Sequence, residues 1–102
     1  HELPGEKSVT YELHAKKAGR YDVRMSYPPF SNRATNVSVT VNTPREELKT
    51  TVNQRQKPEI NGIFHSLGAV EVGTGDVVSV TISNAGADGH VIADAVQLAP
   101  LD

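Results

Sequence analysis

Between Gly19 and Tyr27, apolar and polar residues change places at every step. Tyr21, Val23, Met25 and Tyr27 fall on one side, and Arg20, Asp22, Arg24 and Ser26 on the other. A helix would scatter these side chains around its circumference; an extended strand sorts them into one dry face and one wet face. The same period of two recurs in Val9, Tyr11 and Leu13, in Val37, Val39 and Val41, and in Val78, Val80 and Ile82. Strands with a single apolar face must cover it, and the simplest cover is a second sheet.

The breaks between these runs carry turn chemistry. Ala15 to Gly19 closes on a glycine, Pro28-Pro29 and Pro44 cannot donate to a ladder, and Gly73-Thr74-Gly75-Asp76 and Asn84 to Gly89 are rich in glycine. Arg45 to Lys49 could form a helical turn, but the β-branched run Thr50-Thr51-Val52 argues for a strand there. Asn53 to Gly62 is polar, holds Pro58 and reads as a loop. Ile63 to Val72 alternates with a fault, and Gly68 marks a bulge that would let Leu67, Val70 and Val72 share the core. Gly89 to Leu98 is the longest apolar run, interrupted by Asp94, and reads as the central strand of the fold. The total is about seven short strands, which predicts an all-β, antiparallel β-sandwich. The chain is read as a single sandwich domain over residues 1–102, part of a larger protein.

Composition narrows the function classes. The net charge is −2 and the densest basic cluster is Lys16, Lys17 and Arg20, too small a stripe to replace phosphate counterions, so no nucleic-acid partner is expected. No apolar run approaches the roughly 20 residues of a membrane-spanning helix, so no membrane span is expected. Without cysteine there are no disulfides, thiolate metal sites or thiol nucleophiles. His1-Glu2-Leu3-Pro4 does not resemble a signal peptide, and any targeting segment would lie outside this sequence.

No Gly-x-Ser-x-Gly motif and no pair of acids on a common face is present, so the chain is read as non-catalytic and without a cofactor. Asp88 and His90 stand two apart, as metal ligands on a strand would, but chance alone produces such pairs and no metal is assigned. Sugar recognition rests on aromatic faces aided by polar groups. The candidate ligand contacts are Tyr27, Phe30, Arg33, Asn53 and Arg55. Tyr27 and Phe30 flank a proline turn and could form an exposed platform with Arg33; alternatively, Phe30 plugs the open end of the sandwich. Asp94, flanked at even spacing by Ile92 and Val96, reads as buried. Its structural reading is a tie to a loop backbone or to an arginine such as Arg24; its functional reading is a calcium or sugar ligand at a sheet edge.

Several blocks, taken in order, resemble a known family. Gly19-Arg20-Tyr21-Asp22-Val23, the Tyr27-Pro28-Pro29 exit, Ala34-Thr35-Asn36-Val37, Leu67-Gly68 with Val70 and Val72, and Val91 to Leu98 are similar to the golvesin C-terminal, xanthan-lyase carbohydrate-binding-like domain. The resemblance implies a jelly roll of the galactose-binding type. It also implies an accessory module of an exported polysaccharide-acting enzyme or FAD-dependent oxidoreductase, extracellular or periplasmic and bacterial. Its partners would be a polysaccharide and the covalently linked catalytic domain. Where the family usually carries tryptophan before the Leu-Gly pair, the nearest aromatic is Phe64, read as structural together with Gly68 and Asp94. That substitution keeps a second function open, a structural module that packs against a catalytic domain or another protein.

Overall fold

A computed structural model describes residues 7–92 and 94–101. Seven strands follow one another: β1 (Ser8–His14), β2 (Gly19–Ser26), β3 (Val37–Asn42), β4 (Glu47–Val52), β5 (Phe64–Val72), β6 (Val77–Ser83) and β7 (Ala95–Pro100). They form a four-stranded sheet in the order β1-β6-β3-β4 and a three-stranded sheet in the order β5-β2-β7. Every pairing between these strands is antiparallel. The all-β sandwich expected from the alternation is what the chain forms, and no helix occurs among the described residues. Nothing in the described residues is therefore a helix long and apolar enough to cross a membrane.

The alternation explains the core. Val37, Val39 and Val41 of β3 and Val78, Val80 and Ile82 of β6 are fully buried, facing Val23, Met25, Val70 and Val72 of the smaller sheet. Each such aliphatic side chain contributes about 1.5–3 kcal/mol by leaving water. Their neighbours in sequence point outward. Thr10 and Thr81 stand opposite one another on the outer face of the larger sheet, with their hydroxyls 2.9 Å apart.

The interrupted pattern in β5 has a geometric origin. Val23 pairs with Gly68 and Arg24 with Ser66, so Leu67 is the extra residue of a bulge. Gly68 takes φ of +126°, and Leu67, Val70 and Val72 all reach the core. Glu47 to Lys49 is strand and not a helical turn, because Glu47 and Leu48 pair with Asn42 and Val41 of β3.

Two expectations need correction. The run Gly89 to Leu98 is not the central strand. Val91 and Ile92 are buried, but the strand proper begins at Ala95 and lies at the edge of the smaller sheet; the central strand there is β2. Asp94 is exposed, not buried. Its neighbour Ile92 belongs to the buried segment before β7, so even spacing from Ile92 carries no information about which way Asp94 faces. Arg24 pairs instead with Asp22, Nε to Oδ2 at 2.8 Å, and Ser66 Oγ donates to the other Asp22 oxygen at 2.6 Å.

Candidate functional site

The topology makes the two ends of the sandwich unequal. At one end the connections are short: 15–18, 43–46 and 73–76. At the other end the connections 27–36, 53–63 and 84–94 all cross between the sheets and are more than twice as long. Long irregular segments held on a rigid scaffold are where binding residues concentrate.

These loops are laced together. Ala34 N donates to His90 O at 2.8 Å and His90 N to Asn32 O at 3.0 Å, so Arg33 and His90 form a parallel bridge. Gln54 N donates to Ala34 O at 2.9 Å. The Gln54 side chain is fully buried, and its carboxamide exchanges two hydrogen bonds with the backbone of Ile92. Asp88 accepts from both the N–H and the hydroxyl of Thr35. Those bonds, the hydroxyl first and the amide second, hold the Asp88 carboxyl below the usual carboxylate range against a small opposing effect of burial, and the Arg55 charge adds to the lowering. Asn36 closes the loop 84–89 by accepting from Asp88 N and donating to Gly86 O.

Gly89 is required by closeness. A Cβ placed there would lie 2.9 Å from the carbonyl carbon and oxygen of Arg33 and 3.0 Å from Ala34 N. Any side chain would push the two loops apart.

The loop 53–63 ends in a tight hairpin turn. Asn61 and Gly62 have φ of +55° and +70°, and Ile63 N donates to Ile60 O at 3.0 Å. Asn-Gly suits the two positive-φ positions, and Ile60 then pairs with Phe64 across a three-residue connection. Glu59, just before it, accepts from Ser66 N at 2.9 Å and contacts His65 Nδ1 at 2.7 Å. Burial pushes the Glu59 carboxyl upward, but the Ser66 N–H, the other hydrogen bonds and the His65 charge together carry it below its usual value.

On this braced end the sequence candidates separate. Phe30 is 59% exposed and does not plug the sandwich. Arg33 lies over its ring, Cζ 4.9 Å from the centroid, and donates from Nη1 to Asn32 Oδ1 at 2.9 Å. A cation–π contact at such an exposed place is worth about 0.5–1 kcal/mol. Arg33 Nε is covered and has no acceptor among the described residues, a position that costs on the order of 1–3 kcal/mol. Phe30, Ser31, Asn32 and Arg33 line an open depression. Arg55, from the loop 53–63, donates from Nε to Arg33 O at 2.7 Å.

Tyr27 does not belong to an exposed platform. Its ring is 4% exposed, and its hydroxyl donates to Gln56 O at 2.9 Å, with Asn53 O a more distant 3.3 Å. The reason is the alternation itself: Tyr27 continues the core face of β2 beyond its last ladder pair. Burial first, and then the Glu59 charge, push its hydroxyl above the ordinary tyrosine value. Asn53 turns its Oδ1 back to accept from Arg55 N at 3.0 Å, shaping the loop. Phe64 is half-buried at the start of β5, beside the Asn61–Gly62 turn. Asp94 lies near Tyr11, whose hydroxyl is pushed upward by burial first and by the Asp94 charge second. The sequence reading missed Gln54 and Gly89 as braces. Nothing in a polar loop distinguishes a buried glutamine; the Asn61-Gly62 pair carries a hairpin signal that reading Asn53 to Gly62 as a plain loop passes over.

Two antiparallel sheets around an aliphatic core, with three long crossing loops braced at one end, define a small β-sandwich module. The Golvesin C-terminal domain family matches residues 2–100, and the chain belongs to that family. It is 38% identical over 96 residues to a xanthan lyase of Bacillus sp. strain GL1, covering 91% of this chain and 10% of that protein. The structure of a Paenibacillus xanthan lyase matches with a TM-score of 0.84 at 32% identity, over 93% of this chain and 9% of that one. The chain thus spans about a tenth of the length of the relatives it matches.

Proposed function

We propose that this domain is a non-catalytic accessory module that binds polysaccharide through the Phe30–Arg33 loop. It would serve an exported polysaccharide-acting enzyme in the extracellular or periplasmic space, linked covalently to the catalytic part. The observation that carries the reading is Phe30, a large aromatic ring held in water on a loop whose backbone is pinned at Asn32, Arg33 and Ala34. An exposed ring on a flexible loop would lose entropy on binding; a ring on a braced loop loses less. Arg55 reaches this loop through its bond to Arg33 O, and Asn53 shapes the turn that carries Arg55, whereas Tyr27 is buried and ties down the loop 53–63. The acids nearest this end are engaged with the protein itself, Asp88 with Thr35 and Glu59 with Ser66 and His65, which favours binding over acid–base chemistry.

The alternative, a module that packs by a sheet face on a catalytic domain or partner, has less support. The exposed large hydrophobic residues among the described ones, Phe30, Ile63 and Leu101, all lie outside the strands. A docking sheet face would gather such residues on its strands.

Affinity electrophoresis through gels containing xanthan, alginate, polygalacturonate, dextran or xyloglucan tests the proposal. At least one polymer should retard the folded domain, and Phe30→Ala should run as it does without polymer. No retardation by any of them would refute the reading.

A further inference from the structure

We infer that a second copy of this chain pairs with β7, the two β7 strands running antiparallel about a two-fold axis at Gln97. The three-stranded sheet is one strand narrower than the sheet it covers. The shortfall lies on the β7 side. At the β5 edge, Leu67, Val70 and Val72 are buried. At the opposite flank β1 packs beside β7. There Val9, Tyr11 and Leu13 of β1 and Val96 and Leu98 of β7 pack against the core but are only half-buried. A further strand beside β7 would take this apolar surface out of water.

The backbone of β7 is open to such a strand. Leu101 N donates to Arg20 O, and Tyr21 stands opposite Pro100. Bonded and non-bonded pairs alternate along an antiparallel ladder. The backbone groups of Ala95, Gln97 and Ala99 therefore turn to β2, and those of Val96 and Leu98 turn outward. The other edges are guarded. β1 carries Glu12, β4 carries Glu47 and Lys49, and β5 is bulged at Leu67 with Ser66 N taken by Glu59. From Ala95 to Pro100, β7 carries no charge, no glycine and no bulge. An uncharged strand meets its own copy without like-charge repulsion. The register follows from Pro100, which has no N–H. With the axis at Gln97, Val96 of each copy faces Leu98 of the other, and every outward N–H and C=O of these residues is bonded. An axis at Leu98 would set Val96 against Pro100 and lose a donor; an axis at Val96 would set Leu98 against Asp94, outside the strand. Because the pairing is antiparallel, the long-loop ends of the two copies point in opposite directions.

Sedimentation equilibrium of the 102-residue chain tests this. A single strand pair is a small interface, so a dimer should form with a dissociation constant on the order of 10–1000 μM. The Val96 and Leu98 amides should exchange more slowly in the dimer than in the dilute monomer. Gln97→Glu sets like charges on Cα atoms about 4.5 Å apart at the axis and should weaken association at least about tenfold. Its thermal melting at high dilution should be unchanged. Mixing Gln97→Glu with Gln97→Lys should restore association, and Thr51→Glu, on β4, should leave it as it was. A chain still monomeric at about 1 mM overturns the inference. So does association that Gln97→Glu does not move, or a dimer in which the Val96 and Leu98 amides gain no protection.

Discussion

The side chain of Gln54 pairs with the backbone of Ile92 as though it were a strand residue. Its Nε2 donates to Ile92 O at 2.8 Å, and Ile92 N donates to its Oε1 at 2.9 Å. Neither residue lies in a strand, and both are buried. The carboxamide supplies the acceptor and donor that a ladder would otherwise provide, so Ile92 can be buried between β6 and β7 with its own N–H and C=O paired.

Gln54→Ala should therefore cost roughly 2–4 kcal/mol, since it leaves both an N–H and a C=O of Ile92 buried and unpaired. Urea denaturation measures the loss, and hydrogen exchange at the Ile92 amide should rise with it. A change below about 1 kcal/mol would mean that water takes over the pairing.

Two carboxylates make stability depend on acidity. Asp88 and Glu59 both have folded values below their ordinary 3.8 and 4.5. A group with a depressed folded value stabilises the fold at pH above its unfolded value, and that stability is lost as the pH falls through the folded value. Melting temperature should accordingly be level above about pH 5 and decline below it. In Asp88→Asn the decline should be shallower; an unchanged slope would remove Asp88 from the account.

Gly89→Ala places a methyl group 2.9 Å from the Arg33 carbonyl. Backbone cannot swing aside as a side-chain end can, so a cost of about 1–3 kcal/mol is expected. Amide resonances of Ala34 and His90 should shift, because their mutual bridge opens. Polysaccharide binding should weaken with it, since the Arg33 loop loses a brace.

Tyr27 and Phe30 should respond in opposite ways. Tyr27→Phe removes a hydroxyl bonded to Gln56 O and should cost about 1 kcal/mol of stability while sparing ligand binding. Phe30→Ala truncates an exposed ring and should cost no more than the roughly 0.5–1 kcal/mol of its contact with Arg33 while abolishing binding. Thermal melts and affinity gels on the two variants separate support from contact.

Much of the architecture was legible before any coordinates. Alternation marked the core faces of β1, β2, β3 and β6, and the glycine-rich and proline turns set the breaks between them. The site was less legible. Asp94 looked buried because Ile92 is, and Tyr27 looked like part of a platform because proline follows it. In both cases a local pattern was extended across a point where the chain leaves its strand.

Period-two alternation determined by itself that this chain folds as two stacked sheets, because each strand must hide one face and wet the other. That requirement is met within a few residues of any position. Tertiary structure alone decided that the last apolar run ends as an edge strand, that Gln54 is buried and that Phe30 stands in water. Each of these depends on which distant segment lies alongside, and that is set by three loops converging at one end of the sandwich.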